Sequence, residues 1–420
     1  MASYKGIAYM RRRLDLKRER VLLRYKYYEM KQLTKMLNMS DIKEMYWLNH
    51  TLGWCSKAVD SLADRLVFNG FEQDNFDLTE IFQMNNPDTL YDSAILSACI
   101  SSCCFIYISP DKDNYPRLQV IDGANATGMI DPITGLLTEG YAVLNRDDNG
   151  NAITEAYFTP GTIQIIRKGS DKPQLIKNNV PYPLLVPIIH RPDARREFGR
   201  SRISRSCMKL TDAAVRTITR SEISAEFYSY PQRFVLGTSQ DAEPINKWKA
   251  LMTSLIEITR DDEGNVPTVG QFQQQSMTPH LEQLRSLAAA FAGETGLTLD
   301  DLGFPSDNPS SAEAIKASHE TLRLAARKAQ RTFGSGFLNV GYLAACLRDN
   351  FAYERKQLYL TKPTWAPIFE PDAAMLSSMG DGAIKINQAV PGYFNKDNLE
   401  KMTGIPASEE PAQIMQEVGV

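Results

Sequence analysis

Histidine is scarce in this chain. Its four copies among 420 residues are His50, His190, His280 and His319, and none has a cysteine or second histidine at metal-ligand spacing. No GxxxxGKS/T, HExxH or GxSxG segment occurs, which removes the P-loop, zincin and nucleophile-elbow chemistries. GSGFLNVG at 334–341 has the wrong glycine spacing for a dinucleotide loop and lies inside a helical pattern. The six cysteines (Cys55, Cys99, Cys103, Cys104, Cys207 and Cys346) form no CxxC pair. Adjacent Cys103 and Cys104 suit neither a shared metal nor an ordinary bridge, so buried free thiols in a reducing compartment are expected. The NxS/T triplets at Asn38, Asn49 and Asn125 are then fortuitous. No run approaches the ~18 consecutive apolar residues of a membrane span. The opening MASYKGIAYMRRRLDLKRER has no apolar stretch behind its charges and so no secretory signal. The expectation is a protein working in solution or in a soluble assembly, without membrane, cofactor or metal.

What is present is ordinary for a folded chain: 43% hydrophobic and 23% charged residues, enough length for two or more domains. A net charge of −3 excludes a generally basic nucleic-acid coat, so any such contact would be local or weak. Charge does concentrate at the start. Residues 1–31 hold ten Lys or Arg against Asp15, Glu19 and Glu29. This reads either as a solvated helix or arm on acidic neighbours, or as a nucleic-acid contact.

Periodicity divides the rest. From 41 to 68, Met45, Leu48, Leu52, Cys55, Val59, Leu62 and Leu66 recur at steps of three and four, predicting a core helix with Ser40 or Asp41 as cap. Asn69-Gly70 would end it as a C-cap. From Cys103 to Pro192 the period shortens. CCFIYIS, RLQVID, GYAVLN, ITEAYFTP, GTIQIIRK and PLLVPIIH predict a mostly antiparallel β region, with a hairpin at Asp148-Asn149-Gly150. Helix returns over 203–229, roughly 40 Å long. Arg205, Lys209, Asp212, Arg216 and Arg220 lie on one face; Cys207, Leu210, Ala214, Ile218 and Ala225 lie on the other. Pro231 stops it.

Residues 231–278 read as a small α/β insert: a strand at QRFVLG, a helix at INKWKALMTSLIEI, a turn at DDEGN and a strand near PTVGQFQQ. A helix over 279–295 follows, with Leu281, Leu284, Ala288 and Phe291 on one face. The insert therefore sits between two long helices, as a tip on a two-helix stalk. Next comes TLDDLGFPSDNPS at 298–310, an acidic loop tethered at both ends. A long helix follows, with Ile315, His319, Leu322, Ala326, Ala329 and Phe333 on its apolar stripe. Gly334, Gly336 and Gly341 predict a kink or close packing there. Further helices are expected at 371–389 and 395–403.

Three carboxylate pairs could suggest metal or acid–base chemistry. Asp147-Asp148 and Asp261-Asp262 precede Asn-Gly and Glu-Gly-Asn turns and are turn residues. Asp300-Asp301 lies in the tethered loop without a base or nucleophile, so no enzyme is indicated. Lys316, Arg323, Arg327 and Arg331 share one helix face, solvated, inter-subunit or phosphate-facing.

Four stretches resemble the portal proteins of long-tailed double-stranded DNA bacteriophages, the siphophage portals. WLNHTLGWCSKAVDSLADRLVFNGF (47–71) is similar to that family's N-terminal helix and its exit into a strand. FGRSRISRSCMKLTDAAVRTITRSEISAEFYSYPQRFVLG (198–237) resembles the descending stem helix entering the clip. ETGLTLDDLGFPSDNPSSAEAIKASHETLRLAARKAQRTFG (294–334) resembles the tunnel loop and long kinked helix. TWAPIFEPDAAMLSSMGDGAIKINQA (364–389) resembles the segment that follows.

The resemblance implies an α+β portal fold. Its parts would be a wing of helices and antiparallel strands (1–200), a descending stem helix (201–230), a clip (231–278) and an ascending stem helix (279–296). A tunnel loop (297–311), a long kinked wing helix (312–350) and a C-terminal helical segment with a reduced crown (351–420) would complete it. It further implies a ring, commonly of twelve subunits, at one capsid vertex of the virion, assembled in the bacterial host cytoplasm. Double-stranded DNA would pass through weakly and without sequence preference. The terminase large subunit would dock on the clip, to be replaced by head-completion and tail connector proteins. Major capsid and scaffolding proteins would be neighbours. On this resemblance Asp300, Asp301, Phe304, Ser306, Asp307 and Asn308 face DNA. Lys247, Lys249, Glu257, Arg260, Asp261, Asp262 and Glu263 face the motor or connector, with Trp248 packing inside the clip. Arg216, Arg220, Glu222 and Glu226 divide between channel lining and inter-subunit pairs. No catalytic residue is implied. The alternatives are a monomeric or dimeric nucleic-acid-binding enzyme or scaffold using the basic N-terminus, and another ring-shaped virion connector.

Overall fold

The computed structural model describes residues 4–32, 50–112, 115–170, 172–229, 233–236, 266, 268–271, 276–305, 317–369 and 373–405. In chain order the helices are α1 (Ile7–Tyr28), α2 (Trp54–Ala63), α3 (Leu78–Gln83), α4 (Pro87–Ser101) and α5 (Arg205–Ser229). They are followed by α6 (Thr278–Thr295), α7 (Glu320–Arg348), α8 (Ala373–Ala389) and α9 (Lys396–Thr403). The strands are β1 (Phe68–Glu72), β2 (Cys103–Pro110), β3 (Pro116–Ile121), β4 (Ala126–Ile130), β5 (Leu137–Arg146) and β6 (Ala152–Thr159). Then come β7 (Thr162–Arg167), β8 (Gln174–Lys177), β9 (Leu185–Ile189), β10 (Arg233–Leu236), β11 (Thr268–Gln271) and β12 (Lys362–Trp365). The fold is mixed α/β. Contacts divide it into two compact units, one of residues 1–29, 56–204 and 310–420, the other of 30–55 and 205–309.

The larger unit is built on antiparallel strands. β2 is the middle strand of β3-β2-β9, pairing Phe105 with Ile121 and with Pro187. Its residues Cys103 to Ile108 are all buried because α4 and α7 both pack on it, so it reads as an apolar run rather than an alternation. The second sheet is a meander, β4-β5-β6-β7-β8. The predicted hairpin joins β5 and β6, where Asn151 N donates to Asp147 Oδ1 at 2.7 Å and Gly150 takes φ +80°. These hydrogen bonds hold the Asp147 carboxyl below its ordinary range, the turn role expected of it.

α1 carries the basic N-terminus, and it is a packed helix. Met10 and Leu14 are buried against Tyr141, Val143 and Tyr157 of the meander. β1 and β12 form a two-stranded sheet whose aromatic rings close the core around α7. Phe68 lies 4.6 Å from Tyr91, 5.0 Å from Phe337 and 4.9 Å from Trp365 between ring centroids. The α7 glycines do not interrupt the helix; they are points of close packing. A Cβ on Gly334 would lie 2.7 Å from Pro363 Cγ, and one on Gly336 2.8 Å from Ile188 Cδ1.

Two expectations are corrected here. Residues 41–49 lie outside the described residues, and from 50 onward the helix begins only at Trp54 and ends at Ala63. Leu52 therefore precedes it and Leu66 follows it. Asn69-Gly70 is not a helix cap but part of β1, at an irregularity in its pairing with β12. All six cysteines are free and buried. Burial pushes the Cys99 thiol up to about 12, the state of an inert packing thiol.

Candidate functional site

The second unit holds the paired helices that flank the insert. α5 and α6 pack against each other, and Trp54 seats on the buried face of α6 with its ring 5.4 Å from that of Phe291. Ser224 Oγ and His280 Nε2 stand 3.4 Å apart between the helices. α5 is rich in β-branched residues of modest helix propensity. Three buried threonines satisfy their hydroxyls by bonding back one turn: Thr211 to Cys207 O at 2.9 Å, Thr217 to Ala213 O at 3.0 Å and Thr219 to Val215 O at 3.0 Å. The expected faces need adjustment. Asp212, placed on the polar side, is buried with Lys209 Nζ at 3.9 Å, and Ala225, placed on the apolar side, is exposed. Between the helices, β10 and β11 pair antiparallel from Arg233–Gln271 to Leu236–Thr268.

Beyond α6 the chain turns tightly. Gly296 takes φ +72° and ends the helix with its N–H on Ala292 O, an αL C-cap. Thr298 and Asp301 then exchange hydrogen bonds. Asp301 Oδ2 accepts from Thr298 N at 2.9 Å, while Thr298 Oγ1 accepts from Asp301 N at 3.1 Å. That reciprocity has the pattern of a capping box, with Asp in place of Glu, set one residue ahead of the Leu299 cap of a single 3-10 turn over Asp300–Leu302. Leu302 is buried, and Phe304 N closes the turn on Leu299 O at 3.0 Å. The first half of the acidic loop is thus a folded turn.

Of the residues assigned to DNA, Asp300 is exposed, Asp301 is half-buried in the capping box and Phe304 is half-buried. Ser306, Asp307 and Asn308 lie outside the described residues. So do all seven clip residues, Lys247, Lys249, Glu257, Arg260, Asp261, Asp262 and Glu263, together with Trp248 and the helix expected around it. On α5, Arg220 and Glu222 are exposed and Arg216 is half-buried; the side chain of Glu226 lies outside the described residues. Glu222 Oε2 stands 2.8 Å from His50 Nε2 of the same chain, without hydrogen-bond geometry.

On α7 the arginine face is mixed in character. Arg323 forks onto Glu320 at 2.6 and 2.7 Å, which lowers that carboxyl. Arg327 and Arg331 line an open cleft of about 460 Å³ with Leu324, Gln330, Pro363 and Trp365. Lys316 lies outside the described residues. Among the described residues no group of three or more His, Cys, Asp or Glu side chains could hold a metal ion.

Two carboxylates that sequence reasoning passed over fix the basic N-terminus. Glu139, buried in β5, accepts from Lys5 N and Gly6 N at 2.9 and 3.2 Å, just before α1 begins. Glu155 accepts from Arg11 Nε at 3.1 Å and from Tyr141 Oη at 2.8 Å. A carboxylate at a helix N-terminus takes up amide donors and favours the helix dipole. The available signal was acidic residues at inward positions of otherwise apolar strands. Lys17 is held differently: its Nζ stands 5.2 Å from the Phe105 ring and 5.5 Å from that of Phe198, and burial lowers its pKa.

The described residues thus comprise packed helices, a strand-bearing insert and a tethered turn. The family described as phage portal protein, SPP1 Gp6-like, matches residues 7–368, and the chain belongs to it. The portal protein of Mycobacterium phage L5 is 27% identical over 336 residues, 74% of this chain and 68% of that protein. That of Mycobacterium phage D29 is 24% identical over 408 residues, 91% of this chain and 82% of that protein. A solved chain from the neck of an empty GTA particle, computed with C6 symmetry, aligns with a TM-score of 0.49 at 12% identity. That alignment covers 93% of this chain and 99% of the other.

Proposed function

We propose that this chain is the portal subunit of a phage capsid, assembling into a ring of twelve at one vertex and hydrolysing nothing itself. Family membership over residues 7–368 is the observation that carries the reading. The packed helices α5 and α6, joined through the β10–β11 insert, fit a stem and clip. Double-stranded DNA passes through the ring during packaging and ejection. The clip, 231–278, docks the terminase large subunit and later the head–tail connector proteins, through Lys247, Lys249, Glu257 and the 260–263 turn. The 297–311 loop meets the DNA, with Asp300 on its exposed surface. A conduit lined this way suits translocation, because tight phosphate binding would stall the moving strand. Arg216 and Arg220 serve the channel wall or the neighbouring subunit.

Solution mass and negative-stain images of the purified full chain test the reading. A species near twelve times 47.2 kDa with a central hole is expected. A compact dimer that binds DNA would overturn it.

A further inference from the structure

Helix α1 is apolar on two opposite sides, and its own chain covers one. Met10 and Leu14 face the meander. On the other side Tyr9, Leu16 and Leu23 recur every seventh residue and are 43%, 69% and 39% exposed. Arg12 and Arg20 stand between them, also exposed. At 3.6 residues per turn the five fall within an arc of about 80°. Neither Arg12 nor Arg20 joins an ion pair among the described residues.

A surface of opposite charge lies on the same unit. Asp88 and Asp92, one turn apart, share a face of α4 and are exposed, as are Glu80 on α3 and Met84 between the two helices, Met84 at 57%. Two cations approach this surface, and each has a partner of its own. Arg117 pairs with Asp111 at 2.9 Å, and Arg348 pairs with Asp349 at 2.8 Å.

We infer that the outer face of α1, centred on Leu16, docks on the Asp88–Asp92 face of α4 in a second copy of this chain. Three large apolar side chains on one exposed helix face, interleaved with two arginines that have no ion pair among the described residues, make a mixed apolar and basic surface suited to a protein face that is both apolar and acidic. Phosphates would leave Tyr9, Leu16 and Leu23 without partners, so the apolar stripe favours protein over nucleic acid. The contact is head to tail, since it joins two different faces, and identical subunits close into a ring through such contacts. The inference rests on the ring reading given above.

Charge reversal in the full chain tests it, with circular dichroism reporting the fold. Arg12→Glu with Arg20→Glu, and separately Asp88→Lys with Asp92→Lys, should each raise the subunit concentration for half-assembly by about tenfold or more. The chain carrying all four substitutions should return toward wild-type assembly, because the reversed faces again match. Leu16→Ser should weaken assembly with no change of charge. Rings at wild-type concentration in both double variants would overturn the interface, as would a fourfold variant no better than its parents. Intact rings combined with lost DNA retention in the arginine variants would assign the face to nucleic acid and overturn it too. A wild-type chain that stays monomeric at every concentration would instead fail the ring reading itself.

Discussion

The Tyr157 hydroxyl donates to the Glu139 carboxylate at 2.7 Å inside the meander, and the same carboxylate receives the backbone of Lys5 and Gly6. One buried acid thereby ties β5, β6 and the start of α1 together. Its loss would leave the Tyr157 hydroxyl without an acceptor in an apolar setting. Glu139→Ala is therefore expected to cost about 2–3 kcal/mol, and Tyr157→Phe, which removes the donor as well, about 1 kcal/mol. Urea unfolding measures both. Tryptic cleavage within α1 should quicken in Glu139→Ala alone, and equal cleavage in wild type and variant would show that the anchor does not hold the helix.

A pH dependence follows from His190, which is buried beneath the 190–200 loop. Its Nδ1 donates to Arg200 O at 2.7 Å, and Gly199, at φ +69°, brings the backbone so near that a Cβ would meet His190 O at 2.1 Å. Burial pushes the imidazole down to about 4. The unfolded chain, with a pKa near 6.5, takes up a proton that the folded one refuses between those values. Stability is thus fully present above about pH 6.5 and is lost as pH falls toward 4, by about 3 kcal/mol at most. His190→Gln should flatten that part of the profile. Denaturant unfolding at pH 7, 5.5 and 4.5 gives the difference between wild type and variant, and parallel curves would show that His190 is not the group responsible.

Sequence periodicity was most legible where one face of an element is buried and the other wet. α5 and α6 begin within two residues of the positions expected, because Cys207, Ala288 and their neighbours alternate with charge, and the eight predicted strands are present, β2 marked by its apolar β-branched and aromatic run rather than by alternation. α4 escaped notice. Leu90, Tyr91, Ala94, Ile95, Ala98 and Cys99 are buried at steps of one and three, with Asp88 and Asp92 exposed, a helical period that was there to be read. β4, β8 and β12 are too short to alternate visibly, and β12 is defined by its pairing with β1, almost 300 residues away in sequence. The candidate loop was legible as a tethered acidic segment. The reciprocal bond of Thr298 and Asp301 was hidden by the reading of Asp300-Asp301 as a pair, which obscured the threonine three positions before the second acid.

Two helix glycines should respond oppositely to alanine. At Gly334 the new methyl would meet the Pro363 ring at 2.7 and 2.9 Å, and that ring is fixed in β12. Overpacking of this kind costs about 1–3 kcal/mol, against the roughly 1 kcal/mol that alanine gains in a helix. Gly334→Ala is expected to destabilise by about 1 kcal/mol. At Gly293 on α6 nothing stands within 4 Å of the added carbon. Gly293→Ala should therefore stabilise by about 0.5–1 kcal/mol. Thermal melts of the two variants decide it, and the same sign in both would show that close packing against β12 does not govern Gly334.

The 298–301 turn offers the sharpest functional test. If its role is to present the loop to DNA in one fixed shape, breaking either half of the box should have the same effect. Thr298→Val removes the hydroxyl that receives Asp301 N; Asp301→Ala removes the acceptor of Thr298 N. Each should slow packaging in a motor-driven assay while leaving rings intact, and the double variant should be no worse than the single ones, because the two bonds form one unit. Shortening 298–310 should block packaging altogether. Additive losses from the two substitutions would mean that the residues act separately, Asp301 through its charge. Loss of rings on shortening would make the loop a part of assembly, and its contact with DNA would then have to be carried elsewhere in the chain.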